Sequence, residues 1–188
     1  MRLIKSDIEK IDLSYYGEQL DVEYFQYLKS DNEHYKLLTY ITKLYDNIKI
    51  LDAGTASGHS CLALAQNKNN TVFTYDIYDK NINYILTKYD NVIKKILDIN
   101  LENNDILESS KIIMLDIDPH NGTAEEIFYN RLLSTNFNGF LICDDIHLND
   151  GMRNFWNNIN KEKYDLTEIG HWSGTGIVNF SSEKIEII

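Results

Sequence analysis

The sequence has few of the features that mark secreted or membrane-spanning chains. Its only two cysteines, Cys61 and Cys143, lie in apolar segments without metal-type spacing, so we expect buried free thiols rather than a disulfide. No apolar run approaches the roughly 18 residues that a membrane span requires. The first residues lack the apolar core of a signal peptide. We therefore expect a protein of a reducing compartment, the cytoplasm, with no membrane partner.

Positive charge is also scarce. The chain has 18 Lys and Arg against 29 Asp and Glu, which gives a formal net charge of -11. No stripe of basic side chains offsets this charge, and a phosphate backbone would be repelled. We therefore expect a small-molecule partner and no nucleic acid. The 188 residues predict one domain, and the sequence leaves open whether that domain forms a homo-oligomer.

The chain also lacks internal repeats, low-complexity tracts and linkers. Beyond residue 48, short apolar runs alternate with amphipathic stretches, which is typical of βα units that build a mainly parallel sheet. The predicted strands are 48–52, 72–76, 92–97, 111–116, 139–144, 165–169 and 176–180. The last two flank a short glycine-containing connection, so we expect them to pair antiparallel. The sequence thus predicts an α/β, Rossmann-like fold with seven strands, a C-terminal antiparallel hairpin, and helices on both faces.

Helix starts are signalled at three places. Asp31 can cap a helix that carries Tyr35, Thr123 and Glu126 have capping-box spacing, and Asp150 can cap the next helix. Weaker helix signals follow Gly58 and lie within 81–88, and 101–109 is compatible with a helix or a loop.

The amino-terminal segment precedes the predicted core of residues 31–188. Residues 1–30 are rich in aromatic side chains, namely Tyr15, Tyr16, Tyr24, Phe25 and Tyr27. They predict a helical cap over the edge of the sheet where a cofactor would bind. Ordinary packing against the core is an equally good interpretation.

The most specific motif is a glycine turn between a buried strand and a helix. Its spacing is Gly54-x-x-x-Gly58, with Asp52 two residues before the first glycine. Glycines there let a ligand approach the main chain, and the helix amide groups that follow are free to bind it. Dinucleotide loops use Gly-x-Gly-x-x-Gly, so pyrophosphate binding is disfavoured. Asp76, about 20 residues further on, is placed to accept hydrogen bonds from a ribose diol.

These residues resemble the class I S-adenosylmethionine-dependent methyltransferases, whose first motif is an acidic-x-Gly-x-x-x-Gly turn and whose second strand ends in an acid. The resemblance covers residues 48–180. It implies that the turn wraps the methionine part of S-adenosylmethionine and that Asp76 holds the ribose. The predicted cofactor-binding residues are Asp52, Gly54, Thr55, Ser57, Gly58, Ser60, Asp76 and Asp116.

Four aspartates follow two later strands. They are Asp116, Asp118, Asp144 and Asp145. Ligands of an open parallel sheet bind beyond the carboxyl ends of its strands, so these acids are expected beside the cofactor. Clustered carboxylates repel one another, and a hard cation such as Mg²⁺ is the usual partner that relieves this. Asp144 and Asp145 can reach one ion only if the chain leaves strand geometry between them.

This pattern is similar to that of the metal-dependent sugar O-methyltransferases of macrocin and novobiocin biosynthesis. The resemblance implies that Asp116, Asp144 and Asp145 bind Mg²⁺ or another divalent cation and that Asp118 is the general base. It also implies a hydroxylated small-molecule acceptor, such as a sugar or sugar nucleotide. Catechol-type O-methyltransferases are the alternative. They usually have Asp-Asn at the end of the second of these strands, where this chain has Asp144 and Asp145. The chain departs from the sugar-type pattern in its shorter amino end and in His147, which follows where an aromatic residue is common.

Other interpretations stay open. Aspartates at strand ends also serve as helix caps or turn residues. His120 and His147 lie near the same predicted rim as partners of the metal-binding acids, as alternative bases or as solvated loop residues. We count His147 with Asp118 as a catalytic candidate. Trp172 lines an acceptor pocket or packs at a hairpin turn. Two other classes of function are a nucleotide-binding oxidoreductase and a non-catalytic module that binds S-adenosylmethionine.

Overall fold

A computed structural model of the chain describes residues 1–19 and 33–188. The strands of this part are β1 (Arg2–Leu3), β2 (Lys49–Ala53), β3 (Thr71–Asp76), β4 (Val92–Ile96), β5 (Ile112–Leu115), β6 (Phe140–Asp144), β7 (Lys163–Asp165), β8 (Thr175–Asn179) and β9 (Glu186–Ile187). The helices are α1 (Lys5–Glu9), α2 (Tyr35–Thr42), α3 (His59–Leu64), α4 (Asn83–Leu86), α5 (Asn104–Glu108), α6 (Thr123–Leu133) and α7 (Asp150–Asn158). Short 3-10 turns lie at Ser14–Gln19, Ile99–Leu101 and Thr167–Ile169.

Seven strands form the central sheet in the order β4-β3-β2-β5-β6-β8-β7. The first five in this order are parallel, and β8 runs antiparallel to both β6 and β7. The predicted mainly parallel sheet with a terminal antiparallel hairpin is therefore confirmed. The strand order reverses between β2 and β5, and a ligand of an open α/β sheet binds at such a point, beyond the carboxyl ends of the strands.

Both faces of the central strands are buried, which explains their continuous apolar runs. In β2, Ile50 belongs to one apolar cluster, which includes side chains of α2 and α3. Its neighbour Leu51 faces the other cluster, which includes side chains of α6 and α7. Cys61 and Cys143 are buried and unpaired, as predicted. Within the described ranges, none of the helices is long and apolar enough to cross a membrane.

The sixth predicted strand was wrong in its bounds. The strand is Lys163–Asp165, and a 3-10 turn occupies most of the predicted range 165–169. The local cause is Asp165, whose Oδ1 accepts hydrogen bonds from both the backbone N–H and the hydroxyl of Thr167. A side chain that binds the backbone two residues later favours a turn over continued strand pairing.

Two helix caps were predicted one residue after the position that the structure shows. The residue before α6 is Gly122, at φ +83°, and Asn121 accepts the hydrogen bond from the Thr123 N–H, so the predicted capping box does not form. Asn149, rather than Asp150, caps α7 by accepting a hydrogen bond from the Met152 N–H. The third predicted cap, Asp31, lies outside the described residues.

The described part of the amino-terminal segment packs against the core. The Tyr16 ring is fully buried, and its hydroxyl donates a hydrogen bond to the carbonyl of His59 at the start of α3. The Tyr15 hydroxyl is 2.5 Å from that of Thr39 in α2. Tyr24, Phe25 and Tyr27 fall outside the described ranges, so the predicted cap over the cofactor edge stays a prediction.

Candidate active site

The glycine turn joins the carboxyl ends of three strands. The backbone N–H groups of Gly54 and Thr55 donate to the Tyr75 carbonyl at 3.0 and 2.8 Å, which ties the end of β2 to β3. Gly54 has φ +96°, and a Cβ built on it would lie 1.6 Å from the carbonyl oxygen of Asp116, at the end of β5. This position therefore requires glycine for both its conformation and its close approach to β5.

A cleft of about 540 Å³ opens beside this turn. This volume is in the range of small-molecule sites. Asp76 lies on the cleft wall, with Oδ2 accepting from the Ala56 N–H at 3.1 Å and Oδ1 accepting from the Tyr78 N–H at 2.9 Å. The lining residues are Ala53, Gly54, Ala56, Tyr75, Asp76, Ile77, Tyr78, Lys80, Leu97, Asp98, Ile99, Asn100, Asp116, Ile117, Asp118, His120 and Ala124.

Six of the eight predicted cofactor residues fall into two groups. Gly54, Asp76 and Asp116 line the cleft, whereas Asp52, Thr55 and Ser60 are buried beneath it. The Thr74 hydroxyl donates to Asp52 at 2.6 Å, and the Thr55 hydroxyl donates to the Tyr75 carbonyl at 3.0 Å. Burial raises the pKa of the Asp52 carboxyl. The side chains of Asp52 and Thr55 are thus placed to hold the turn. Contact of Asp52, Thr55 or Ser60 with a cofactor stays a prediction.

The other two members of the predicted set, Ser57 and Gly58, are not among the cleft-lining residues. The carbonyl of Ser57 accepts a hydrogen bond from the Tyr84 hydroxyl at 2.9 Å. Gly58 stands at φ +83° directly before α3. Both positions shape the entry into the helix, and their contact with a cofactor stays a prediction.

Sequence reasoning missed the opposite end of the cleft, formed by Asp98, Ile99 and Asn100. The Asp98 carboxylate accepts from the Asn100 N–H at 2.8 Å and fixes this turn. The Oδ1 atom of Asn100 is buried and has no hydrogen-bond partner among the described residues. The sequence signal for this part of the cleft was Asp98, an acid shortly after β4. Acids also stand at the ends of the nearby strands β3 and β5.

The structure brings together three of the four strand-end aspartates. β6 ends at Asp144, and Asp145 has φ +58°, so the chain leaves strand geometry between these two residues, as the shared site requires. Burial raises the pKa of Asp116 well above its ordinary range, and the charge of Asp144 adds to the rise. Three carboxylates thus share a rim on which Asp144 and Asp145 are buried and Asp116 is partly exposed.

Three histidines lie close to these acids, and together the side chains form two clusters. The His34 cluster consists of His34, Asp144 and His171, and the His120 cluster consists of Asp116, His120 and Asp145. Within each cluster the side-chain donor atoms lie within 4.8 Å of one another. His120 Nδ1 is 3.4 Å from Asp145 Oδ2, and its Nε2 is 3.8 Å from Asp116 Oδ1. The sequence indicated His120 only as a partner of the acids, an alternative base or a solvated loop residue, and it did not indicate His34 or His171.

The His34 cluster carries opposite charges in a buried setting. Burial opposes protonation of His171, but its hydrogen bonds to Asp144 and Asp145 outweigh this and raise its pKa to about 10. The pKa of His34 is also raised, because the adjacent Asp144 outweighs the effect of burial. The two histidines in turn hold the pKa of Asp144 below its ordinary range. Without another cation, the protonated His171 ring therefore balances this carboxylate.

The two predicted catalytic residues lie in different places. Asp118 lines the cleft, its side chain is 94% exposed, and its Oδ1 is 3.4 Å from His120 Nε2. His147 is not on the cleft wall, because its Nε2 lies 2.7 Å from Asp165 Oδ2 at the end of β7. Trp172 is 65% exposed in the loop before β8. The structure therefore brings Asp118, but not His147, to the cleft.

A buried carboxylate close to the rim, that of Glu125, allows the effect of burial on an acid to be tested. Glu125 in α6 is 1% exposed, and neither of its carboxylate oxygens has a hydrogen-bond partner among the residues described. Burial raises its pKa; Asp145 adds to the rise, and His120 opposes it. The charged form therefore costs stability above the folded-state pKa, and this cost disappears as the pH falls through that value.

We accordingly expect Glu125→Gln to raise the melting temperature at pH 8 in chelator by about 2–6 °C, which corresponds to about 1–2 kcal/mol. The gain should shrink toward pH 5, because acid protonates the native glutamate. Thermal unfolding followed by circular dichroism measures both values. The neighbouring Glu126 is exposed, so Glu126→Gln should leave the melting temperature unchanged. A gain that stays constant with pH would refute the assigned cause.

Comparison with known proteins supports the fold. No protein-family model and no curated protein sequence matches the chain. Solved structures do match, among them an S-adenosylhomocysteine-bound methyltransferase from Podospora anserina, with a TM-score of 0.59 and 14% identity over 79% of this chain and 78% of that one. An S-adenosylmethionine-dependent O-methyltransferase from Thermotoga maritima has a TM-score of 0.58 and 13% identity, covering 80% of this chain and 65% of that one.

A putative rRNA methylase from Clostridium thermocellum also matches, with a TM-score of 0.58 and 16% identity over 79% of this chain and 96% of that one. The three proteins thus share an architecture, but only the name of the rRNA methylase states the molecule that is methylated. At such low identity the likeness concerns the fold alone. The chain has the Rossmann-like fold of the S-adenosylmethionine-dependent methyltransferases.

Proposed function

We propose that this protein is an S-adenosylmethionine-dependent O-methyltransferase that acts, with a divalent cation, on a hydroxyl group of a small molecule such as a sugar or sugar nucleotide. The observation that carries the proposal is that one cleft has a side suited to a nucleoside and a second side that carries acids. Gly54 and Asp76 form the side suited to a nucleoside, and Asp116 and Asp118 lead from it to the acidic rim.

The cleft residues fit the proposed methyl donor. S-adenosylmethionine, when bound, supplies a methyl group already activated by its positive sulfur. Asp76 is held by two backbone N–H groups with its carboxylate on the cleft wall, where it can accept hydrogen bonds from a ribose diol. Asn100 offers a buried acceptor oxygen that lacks a partner in the described chain. Glycine at position 54 lets the turn pass against the backbone of Asp116 at φ +96°, and this close approach shapes the cleft wall.

The acidic rim fits a divalent cation. Asp116, Asp144 and Asp145 would hold it, because mutually repelling carboxylates are stabilised by a positive charge. The bound cation would lower the pKa of an acceptor hydroxyl, which is otherwise near that of water. Mg²⁺ is the ion that the sequence predicts.

Asp118 is the proposed proton acceptor. When an alcohol oxygen forms a bond to the methyl carbon and the carbon–sulfur bond breaks, one proton must leave the oxygen. Asp118 lines the cleft with an exposed carboxylate, and His120 lies 3.4 Å from it. A carboxylate placed within reach of the acceptor can take this proton and pass it to solvent.

The proposed partner is a small molecule rather than RNA, DNA or a membrane, in a cytoplasmic protein. The formal net charge of -11 supports this choice, because it opposes binding to a phosphate backbone. The similarity to a putative rRNA methylase concerns the fold alone. Catechols are the second acceptor class to include in a test.

A turnover assay tests the proposed function. S-adenosylhomocysteine release would be measured with a panel of sugars, sugar nucleotides and catechols, with and without chelator, after calorimetry has tested S-adenosylmethionine and NAD binding. We expect S-adenosylmethionine binding, turnover with a hydroxylated acceptor, and loss of turnover in chelator. Binding of NAD instead would contradict the methyltransferase proposal, and turnover that survives the chelator would contradict the cation.

Substitution of Asp76 tests the proposed ribose contact. We expect Asp76→Ala to weaken S-adenosylmethionine binding by about 10- to 100-fold, because hydrogen bonds to a charged group contribute about 1.5–3 kcal/mol. Calorimetry measures the change. Asp79 is close in sequence but does not line the cleft, and it pairs with Lys94. Asp79→Asn should therefore bind normally, and equal affinities for all three proteins would refute the assignment of Asp76.

A further inference from the structure

The His34 cluster unites donors from three distant parts of the chain. His34 directly precedes α2, Asp144 ends β6, and His171 lies in the loop before β8. The Nδ1 atoms of His34 and His171 lie 3.2 and 3.1 Å from the same Oδ1 atom of Asp144. His34 and Asp144 are buried, and the His171 side chain is 15% exposed. The fold thus converges two imidazoles and a carboxylate on one sheltered point.

These distances fit the coordination shell of a metal ion. When metal–ligand bonds are about 2.0–2.2 Å long, neighbouring ligand atoms lie about 3.0–3.5 Å apart. The two imidazole rings are nearly perpendicular, at 86°, with centroids 5.6 Å apart. Their ring nitrogens can therefore face one ion without the rings overlapping.

The surroundings of His171 also fit a metal ligand. Its Nδ1 faces Asp144, while its Nε2 lies 4.0 Å from Oε2 of Glu33. Histidines that bind metals commonly present their other ring nitrogen to a carboxylate, which fixes the ring and strengthens it as a ligand. Ser173 Oγ and Asp145 Oδ1 lie 2.9 and 3.5 Å from His171 Nδ1 and offer further oxygen donors.

We propose that His34, Asp144 and His171 bind a first-row transition-metal ion, of the class Mn²⁺, Fe²⁺, Co²⁺ or Zn²⁺. Imidazole nitrogen suits these ions, whereas Mg²⁺ prefers oxygen alone. The site goes beyond the proposed function and does not depend on methyl transfer. Asp144 also belongs to the carboxylates proposed to hold the cation of the reaction, and the two oxygens of one carboxylate can bind two neighbouring ions. The bound metal would join the start of α2 to β6 and to the loop before β8.

Cobalt titration tests the site. Metal-free full-length protein would be titrated with Co²⁺ and followed by visible absorption, with and without a large excess of Mg²⁺. We expect binding that resists Mg²⁺, and an affinity lowered by about 30-fold or more in both His34→Gln and His171→Gln. His171 is the less buried of the two, so its variant keeps the test valid if His34→Gln folds poorly; melting temperatures in chelator show which variants are folded.

Two matched histidine variants serve as controls. His147 pairs with Asp165, and His120 belongs to the other cluster. His147→Gln and His120→Gln should each bind cobalt within about threefold of the unsubstituted protein. An unchanged affinity in folded His171→Gln, or a loss in His120→Gln alone, would overturn the proposal. So would the absence of cobalt binding, which would leave the two imidazoles as the partners of Asp144.

S-adenosylmethionine calorimetry on the same samples separates the two proposals. Normal S-adenosylmethionine binding with no cobalt site would refute the metal proposal alone. A cobalt site without S-adenosylmethionine binding would refute the methyltransferase proposal alone.

Discussion

Replacing Gly54 with alanine is expected to abolish measurable binding of S-adenosylmethionine. The new Cβ would lie 1.6 Å from the Asp116 carbonyl oxygen, in a backbone conformation at φ +96° that alanine strongly disfavours. Relief of this overlap must separate the ends of β2 and β5, which form one wall of the cleft. We expect affinity to fall by about 100-fold or more and stability to fall by about 2–4 kcal/mol. Calorimetry and chemical denaturation measure the two effects.

Ala56 provides the matched control for this substitution. It lies in the same turn at φ +42° and also lines the cleft. Because glycine adopts positive φ more readily than alanine, Ala56→Gly should keep its stability and bind within about threefold of the native chain. If Gly54→Ala instead bound as well as Ala56→Gly, the turn would not be the cofactor-binding wall.

The second large effect is expected at Asp116. In chelator at pH 8, Asp116→Asn should raise the melting temperature by about 2–6 °C, because it removes a partly buried negative charge that Asp144 repels. The same change removes a proposed cation ligand. We therefore expect the rise in melting temperature that divalent cation produces in the native chain to be lost in this variant. Thermal unfolding with and without Mg²⁺, which prefers oxygen ligands and is not expected in the His34 cluster, measures both effects.

Asp118→Asn is the control for that experiment. Its side chain is 94% exposed on the same rim, so loss of its charge should leave the melting temperature in chelator unchanged within about 1 °C. The cation-dependent rise should also persist in this variant, because Asp118 is proposed as a base and not as a ligand. A cation-dependent rise that persists in Asp116→Asn would exclude Asp116 as a ligand.

The sequence predicted the sheet well because its signals are local. Strands such as β6 are continuous apolar runs, and the short connection after residue 169 can only join antiparallel strands. The errors arose where a polar side chain binds the backbone nearby. Asp165 ends its strand early by binding Thr167, and Asn149 caps α7 in place of the next residue. Several residues offered equivalent capping chemistry, and the sequence alone did not distinguish them.

The site was only partly predictable for a different reason. Gly54 and Asp76 belong to one βαβ unit, so their spacing indicated a shared site. His34 precedes Asp144 by 110 residues, and His171 follows it by 27. Their convergence depends on how α2 and the loop before β8 pack against β6, which no local pattern encodes. His147 lies two residues after Asp145 in sequence, yet its side chain pairs with Asp165 instead of facing the cleft.

A crystal structure with S-adenosylhomocysteine and Mn²⁺ tests the central claim most directly, because anomalous scattering locates the metal independently of the ligand. We predict the ribose hydroxyls within hydrogen-bond distance of Asp76, and a manganese peak about 2.1–2.3 Å from carboxylate oxygens of the acidic rim. A nucleoside bound away from Gly54 and Asp76, or the absence of a manganese peak beside Asp116, Asp144 and Asp145, would contradict the account.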